Sequence, residues 1–159
     1  MRPLIVNTFL TLDGVMQAPG GPEEDQEEGF DHGGWSVGYW DEAMGEKMGE
    51  FMGRPYDLLL GRKTYEIFAA HWPKVEAPED GGLNAARKHV ASRTLDAVEW
   101  SNSTLLEGDV GEAVAATLLA GLPDAREVVF EESSHMPALE ESGRYLEVVA
   151  AFLREAEAT

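Results

Sequence analysis

Cysteine is absent from this sequence and basic side chains are few, and both shortages limit what the protein can do. A chain without thiols forms no disulfide, no thiolate metal site and no cysteine nucleophile. Only 12 basic residues stand against 30 acidic ones, and the net charge of -18 predicts repulsion of nucleic acid and anionic lipid. No apolar run approaches the length that spans a bilayer and no signal peptide is evident, so we expect a cytoplasmic protein without a membrane partner.

Candidate metal ligands are sparse as well. We expect no bound metal, because no two of the four histidines have a spacing typical of a metal site: His32, His71, His89 and His135. The remaining composition is ordinary, with 159 residues that are 43% apolar and 26% charged. These values predict a single domain over residues 1–159, built around one core.

Strand-like and helix-like segments alternate along the chain. The predicted strands are Leu4–Leu10, Tyr56–Leu60, His89–Ser92, Ser103–Leu106 and Glu127–Glu131. The predicted helices are Asp41–Met52, Lys63–His71, Leu83–Arg87, Asp109–Ala120 and Arg144–Ala156, with Asp41 and Asp109 as N-terminal caps. This alternation predicts an α/β fold, in which helices flank a central and largely parallel sheet.

Residues 19–32, which we call the acidic loop, contain six acids, no base, two prolines and three glycines. Such a composition predicts a mobile loop. Seven of the basic residues lie instead between Arg54 and Arg93. An anionic ligand can bind in a cationic stretch of this kind, although solvated surface is the plainer interpretation for most of its members.

Cations and hydroxyls follow two of the predicted strands. Gly61–Thr64 opens a helix, where unpaired backbone N–H groups favour an anion, and Ser92–Thr94 follows the next strand. Open α/β sheets bind ligands at the carboxyl ends of their strands. Each segment alone is also compatible with a polar turn, but together they favour phosphate binding.

Five short motifs occur together in the first two-thirds of the chain: Thr11–Pro22 (TLDGVMQAPGGP), His32–Ser36 (HGGWS), Leu58–Glu66 (LLLGRKTYE), His89–Leu95 (HVASRTL) and Trp100–Thr104 (WSNST). In this combination they resemble the dihydrofolate reductase-like family. The resemblance is closer to the branch related to the reductase domain of riboflavin biosynthesis, and it covers residues 4–109.

The resemblance implies a dihydrofolate reductase-like fold that binds NADPH and reduces a small heterocycle, of the pteridine or ribosylaminopyrimidine type. The cofactor's pyrophosphate would contact Gly61, Arg62, Lys63 and Thr64, and its 2′-phosphate would contact Ser92, Arg93 and Thr94. The substrate pocket would include Trp35, Tyr65, Phe68 and Trp72. Asp13 would be the catalytic residue that polarises the ring or gives it a hydrogen bond, although it could equally cap a turn with Gly14.

The resemblance to the reductase branch does not continue beyond residue 109. Residues 118–154 resemble the C-terminus of an α/β-hydrolase, in which His135 would be the catalytic histidine. Residues 128–137 contain no glycine, whereas the reductase branch places a Gly-Ser-Gly turn there, followed later by a closing hairpin. We therefore expect a reductase-like body over residues 1–109. In the atypical tail, residues 110–159, Glu127–Glu131 and the last helix would complete the same sheet and bury Phe152.

Two other functions stay open. A non-catalytic relative would retain the fold while its tail removes part of the cofactor site. A serine hydrolase would use Ser36, within a G-x-S-x-G match, together with His135, but no strand is predicted before Ser36 as that motif requires. The missing hairpin also leaves an unpaired sheet edge, and we therefore expect a homodimer.

Overall fold

A computed structural model describes residues 4–122, 125–133 and 136–157. The chain divides into two compact units, the first ending at residue 123 and the second beginning at residue 124. The expectation of a single domain stays a prediction. Among the described residues, no helix is both long and apolar enough to cross a bilayer.

A three-stranded parallel sheet organises the first unit. Its strands are β1 (Asp57–Gly61), β2 (Arg87–Ala91) and β3 (Ser103–Leu105), in the order β1-β2-β3. Its helices are α1 (Glu42–Met52), α2 (Arg62–His71) and α3 (Val110–Gly121). Helix α2 connects β1 to β2 and contacts both strands, and α3 contacts β2. The predicted α/β class, a parallel sheet flanked by helices, is confirmed.

The helix boundaries follow local capping chemistry. The Asp41 carboxylate accepts the backbone N–H of Met44 at 2.8 Å, and the Asp109 carboxylate accepts that of Glu112 at 3.1 Å. Both predicted caps are confirmed, because each side chain accepts a donor that the first helical turn leaves unpaired. Helix α2 differs, since it follows Gly61 and has no capping side chain.

The core lies where α2 and the β2–β3 connection meet the sheet. Its buried residues are Leu60, Tyr65, Leu83, Val90 and Trp100. Lys88 is also buried, only 1% exposed. Its ammonium donates to the carbonyl oxygens of Leu83 at 2.7 Å and Ala86 at 2.6 Å, and lies 4.2 Å from the centroid of the Trp100 ring. Burial lowers the pKa of Lys88, and these contacts offset part of the cost of removing a charge from water.

Two predicted elements of the first unit are wrong. Leu4–Leu10 is not a strand, and its side chains are largely exposed, with Val6 at 84%. Alternation alone does not form a strand without a neighbour, and β1 pairs only with β2 in the described sheet. Leu83–Arg87 is a series of turns leading into β2 rather than a helix. Arg87 already belongs to β2, where it pairs with Asp57, and the Lys88 ammonium binds the carbonyl oxygens of Leu83 and Ala86 in the turns before it.

The second unit contains α4 (Pro137–Glu140) and α5 (Ser142–Glu157). The last predicted helix is confirmed, but the strand Glu127–Glu131 is wrong. Contacts with α5 replace strand pairing there, since Arg144 donates to the Val129 carbonyl at 2.9 Å and the Phe130 and Tyr145 rings lie 6.1 Å apart. The expected burial of Phe152 is wrong as well, because it is 48% exposed.

Candidate functional site

The register of the sheet brings the two cationic segments to the same end of the sheet, where the carboxyl ends of β1 and β2 lie side by side. Gly61 at the end of β1 is the pairing partner of Ala91 at the end of β2. Both strands run in the same direction, so Arg62–Thr64 and Ser92–Thr94 leave the sheet side by side. Neighbouring strands lie about 4.8 Å apart. The structure therefore joins segments that are about thirty residues apart in the sequence, at the edge where α/β sheets bind ligands.

The start of α2 is open to an anion. Gly61 has an extended backbone, with φ -74° and ψ 162°, and a Cβ built there would meet no atom within 4 Å. The first N–H groups of the helix have no side-chain cap. Thr64 is exposed in this turn, and the Arg62 guanidinium is 2.8 Å from the Glu66 carboxylate one turn later. Backbone donors and the helix dipole favour an anion here.

Lys63 is engaged by the acidic loop. Its ammonium lies 2.9 Å from an oxygen of Asp25 and also forms an ion pair with Glu27. The Gln17 amide donates to the backbone carbonyls of both acidic residues, at 3.3 and 3.1 Å. The Glu27 and Asp25 carboxylates raise the pKa of Lys63, while the Lys63 ammonium lowers the pKa of Asp25.

The segment after β2 is a turn that presents a cation. The Ser92 hydroxyl accepts the backbone N–H groups of Thr94 at 3.1 Å and Leu95 at 3.0 Å. Ser92 therefore fixes the turn, and both Arg93 and Thr94 are exposed. Within the described residues Arg93 has no salt-bridge partner. Of the three cations that follow these strand ends, Arg62 and Lys63 are paired with carboxylates, whereas Arg93 forms no salt bridge within the described residues.

Three of the four aromatic residues expected near a substrate lie on α2 or directly after it. The Tyr65 hydroxyl accepts the backbone N–H groups of Glu99 at 3.0 Å and Trp100 at 3.1 Å. The Phe68 and Trp72 rings meet edge to face at 6.3 Å and pack against the core. Trp35 has a different role, because its indole donates to the Gln17 carbonyl at 2.9 Å and ties one end of the acidic loop.

An open groove of about 820 Å³ runs along α2. Tyr65, Ala69 and Ala70 form one wall, and residues 97 and 99–101 form the other. Its volume is in the range that holds a small heterocycle. Of the four expected aromatic residues, only Tyr65 lines it.

Asp13 is exposed in a tight turn. Its carboxylate accepts a hydrogen bond from the Thr11 hydroxyl at 2.5 Å, and Gly14 adopts a positive φ of 93° beside it. The Thr11 hydrogen bond lowers the pKa of Asp13. A carboxyl that donates a proton near neutral pH needs a raised pKa. Asp13 therefore takes part in the turn with Thr11 and Gly14, and its role as the catalytic residue stays a prediction.

The serine hydrolase pattern lacks its required geometry. Ser36 is buried, and its hydroxyl donates to the Pro19 carbonyl at 2.8 Å. Turn residues precede it and a short 3-10 helix, Val37–Tyr39, follows it, where a nucleophile elbow has a strand and an α-helix. Ser36 therefore lacks the strand and α-helix that the G-x-S-x-G motif requires on either side of its nucleophile. His135 lies outside the described residues. Those residues also contain no group of three or more His, Asp or Glu side chains able to hold a metal.

Asn84 is an important polar residue that sequence reasoning missed. Its amide donates to the carbonyls of Trp72 at 3.0 Å and Val75 at 2.9 Å, and its oxygen accepts the Trp100 indole N–H at 2.7 Å. These bonds fix the end of α2 against the loop that carries Trp100, beside the groove. No signal in the sequence identifies the three partners, because they lie nine to sixteen residues away.

Comparison of the chain with models of known protein families and with curated proteins finds no match. The candidate site therefore depends on the register of β1 and β2 and on the side chains that follow them.

Proposed function

We propose that the protein is an NADPH-dependent reductase of a small heterocycle, with a dihydrofolate reductase-like fold. The observation that carries this proposal is the pairing of Gly61 with Ala91, which sets both cationic segments at one sheet edge. A dinucleotide has two separated phosphate groups, and this edge offers two separate places for them. The sequence motifs in the same segments are those that resemble the riboflavin-biosynthesis branch.

The side chains present fit the phosphates of NADPH. The uncapped N–H groups of α2 and the open space over Gly61 suit the pyrophosphate, with Arg62 and Thr64 beside it. Arg93, exposed and without a salt bridge among the described residues, suits the 2′-phosphate. Arginine is well suited to phosphate because its guanidinium donates in a planar fork.

Bound NADPH would supply the hydride. The protein would bind the cofactor and the substrate, orient them towards each other and exclude water. The groove beside Tyr65 is not assigned to the ring, because Asn84 and residues 99–101 in its lining lead into the amino ends of β2 and β3, whereas the phosphates would bind at the carboxyl ends of β1 and β2. Asp13 remains the candidate for the residue that polarises the ring or gives it a hydrogen bond.

Titration with NADPH and NADH, followed by fluorescence of the four tryptophans, tests the cofactor site. Replacing Arg93 by Ala should weaken NADPH binding about tenfold, the loss of one charge-assisted hydrogen bond, and should leave NADH nearly unchanged. The matched control is Arg87→Ala, at the amino end of the same strand and 3.9 Å from Asp57. An equal loss of affinity for both cofactors would show that Arg93 does not contact the 2′-phosphate. No binding at millimolar NADPH would refute the reductase proposal.

A non-catalytic dinucleotide-binding protein is the second candidate. The position of Asp13 favours it, because that side chain is exposed and hydrogen-bonded within its own turn. Measuring NADPH oxidation in the presence of pteridine and ribosylaminopyrimidine substrates separates the two functions. Tight NADPH binding without turnover would support the non-catalytic protein.

A further inference from the structure

The acidic loop is tied at both ends and held against α2. Near its start, the Ser36 hydroxyl and backbone N–H both donate to the Pro19 carbonyl, at 2.8 and 3.1 Å. The Trp35 indole donates to the Gln17 carbonyl, and the Gln17 amide in turn donates to the carbonyls of Asp25 and Glu27. A continuous set of hydrogen bonds therefore presents these two acidic residues to Lys63.

The loop meets the expected phosphate site through one cation. Lys63 is in the first turn of α2, beside the uncapped N–H groups and Gly61. Asp25 and Glu27 both form ion pairs with it, and the Asp25 side chain is only 11% exposed. Carboxylates near a helix N-terminus gain from the same dipole that favours a bound phosphate. The loop thus supplies to Lys63 the negative charge that a ligand would supply.

We propose that the acidic loop is an internal competitor for the anion site, in which Asp25 and Glu27 occupy Lys63 until a phosphate-bearing ligand displaces them. This inference rests on the proposed function, because it names the regulation of the same site. The competition is direct, since the two carboxylates neutralise the charge of Lys63 and repel an approaching pyrophosphate. Displacement frees the loop at Lys63, while its ties at Ser36 and Trp35 keep it close.

Two double variants of the full chain distinguish the effect of the Lys63 ion pairs on binding from the effect of net charge. Asp25→Asn with Glu27→Gln removes the charges that pair with Lys63 and preserves the shape of both side chains. Glu23→Gln with Glu28→Gln removes the same amount of charge from the same loop, at positions that form no ion pair within the described residues. Any effect of net charge alone appears equally in both.

The probes are NADPH and inorganic pyrophosphate. The Asp25→Asn, Glu27→Gln variant should bind both about three- to tenfold more tightly than the wild type, because ion pairs of a partly exposed lysine contribute modestly. The affinity of the control variant for the two probes should change by much less. When Lys63 is replaced by Ala, adding Asp25→Asn and Glu27→Gln should no longer increase the affinity, because the carboxylates then have no ammonium to pair with.

A label reports the loop directly. Because the chain has no cysteine, Gln26→Cys introduces a unique site between the two acidic residues for an environment-sensitive fluorophore. Pyrophosphate should change its emission, and Lys63→Ala should remove that response. Equal affinity of the wild type and both variants, with measurable binding, would overturn the competitor and leave the proposed function intact. If no variant bound NADPH or pyrophosphate, the anion site and the competitor would both be refuted.

Discussion

Asn84 offers the sharpest test of how the first unit holds its groove together. Its side chain makes three hydrogen bonds, to the carbonyls of Trp72 and Val75 and from the indole of Trp100. At about 1 kcal/mol net for each bond, Asn84→Ala should lower the free energy of unfolding by about 3 kcal/mol. For a chain of this length, that loss corresponds to a decrease in Tm of about 6–12 °C.

Thermal unfolding followed by near-ultraviolet circular dichroism measures this directly, because Trp100 lies in the core. Asn84→Asp should be at least as destabilising, since it keeps the acceptor for the indole but sets a negative charge against two carbonyls. The control is Ser101→Ala, whose exposed hydroxyl donates to the Asn84 carbonyl at 3.3 Å and should contribute less than about 0.5 kcal/mol. If Asn84→Ala melted within about 2 °C of the wild type, the three bonds would not have the role assigned to them.

The remaining predictions concern the acidic loop, the second unit and the sheet edge. The pKa of Asp25 is lowered in the folded protein, so its contact with Lys63 is present above the ordinary value of 3.8 and is lost as pH falls below it. The pKa of Lys63 is raised, so the same contact is lost again only above the ordinary value of 10.5, and the fluorophore on Gln26→Cys should report no change between these two ranges. In the second unit, Phe130→Ala should lower Tm more than Phe152→Ala. Phe130 packs on Tyr145 and its ring lies 5.1 Å from the Arg144 guanidinium, whereas Phe152 is 48% exposed. Equal decreases in Tm would contradict this prediction. If the expected homodimer pairs two copies of β1 about a two-fold axis, Leu59→Cys should form a disulfide-linked dimer on oxidation, and Thr104→Cys on the other edge strand should not. A monomer at all concentrations in light scattering would refute the dimer.

The elements that the sequence predicted correctly depend on near neighbours. The caps at Asp41 and Asp109 each act on a residue three positions away. Helices α1, α2, α3 and α5 follow from apolar spacing of 3.6 residues, with glycine or proline near several of their ends. The α/β class followed because short strands and helices alternate. The two cationic segments were identified as strand ends for the same local reason.

The predictions that were wrong needed information about partners. Leu4–Leu10 and Glu127–Glu131 both have strand-like composition, but a strand is stable only when another strand satisfies its backbone groups. Leu83–Arg87 has helix-forming residues, yet the buried Lys88 ammonium takes the carbonyl oxygens of Leu83 and Ala86. In each case the local composition was right for the predicted element, and the presence or absence of partners outside the segment was missing from it.

The sequence by itself determined the acidic surface, the absence of thiol chemistry, the helix caps and the segments that carry cations and hydroxyls. Only the tertiary structure decided how those segments are used. The pairing of Gly61 with Ala91 puts them at one edge, and the ion pairs of Lys63 join it to side chains 36 and 38 residues earlier in the chain. The physical reason is range: caps and helical periodicity act over three or four residues, whereas strand register and ion pairs depend on where the folded backbone brings distant residues.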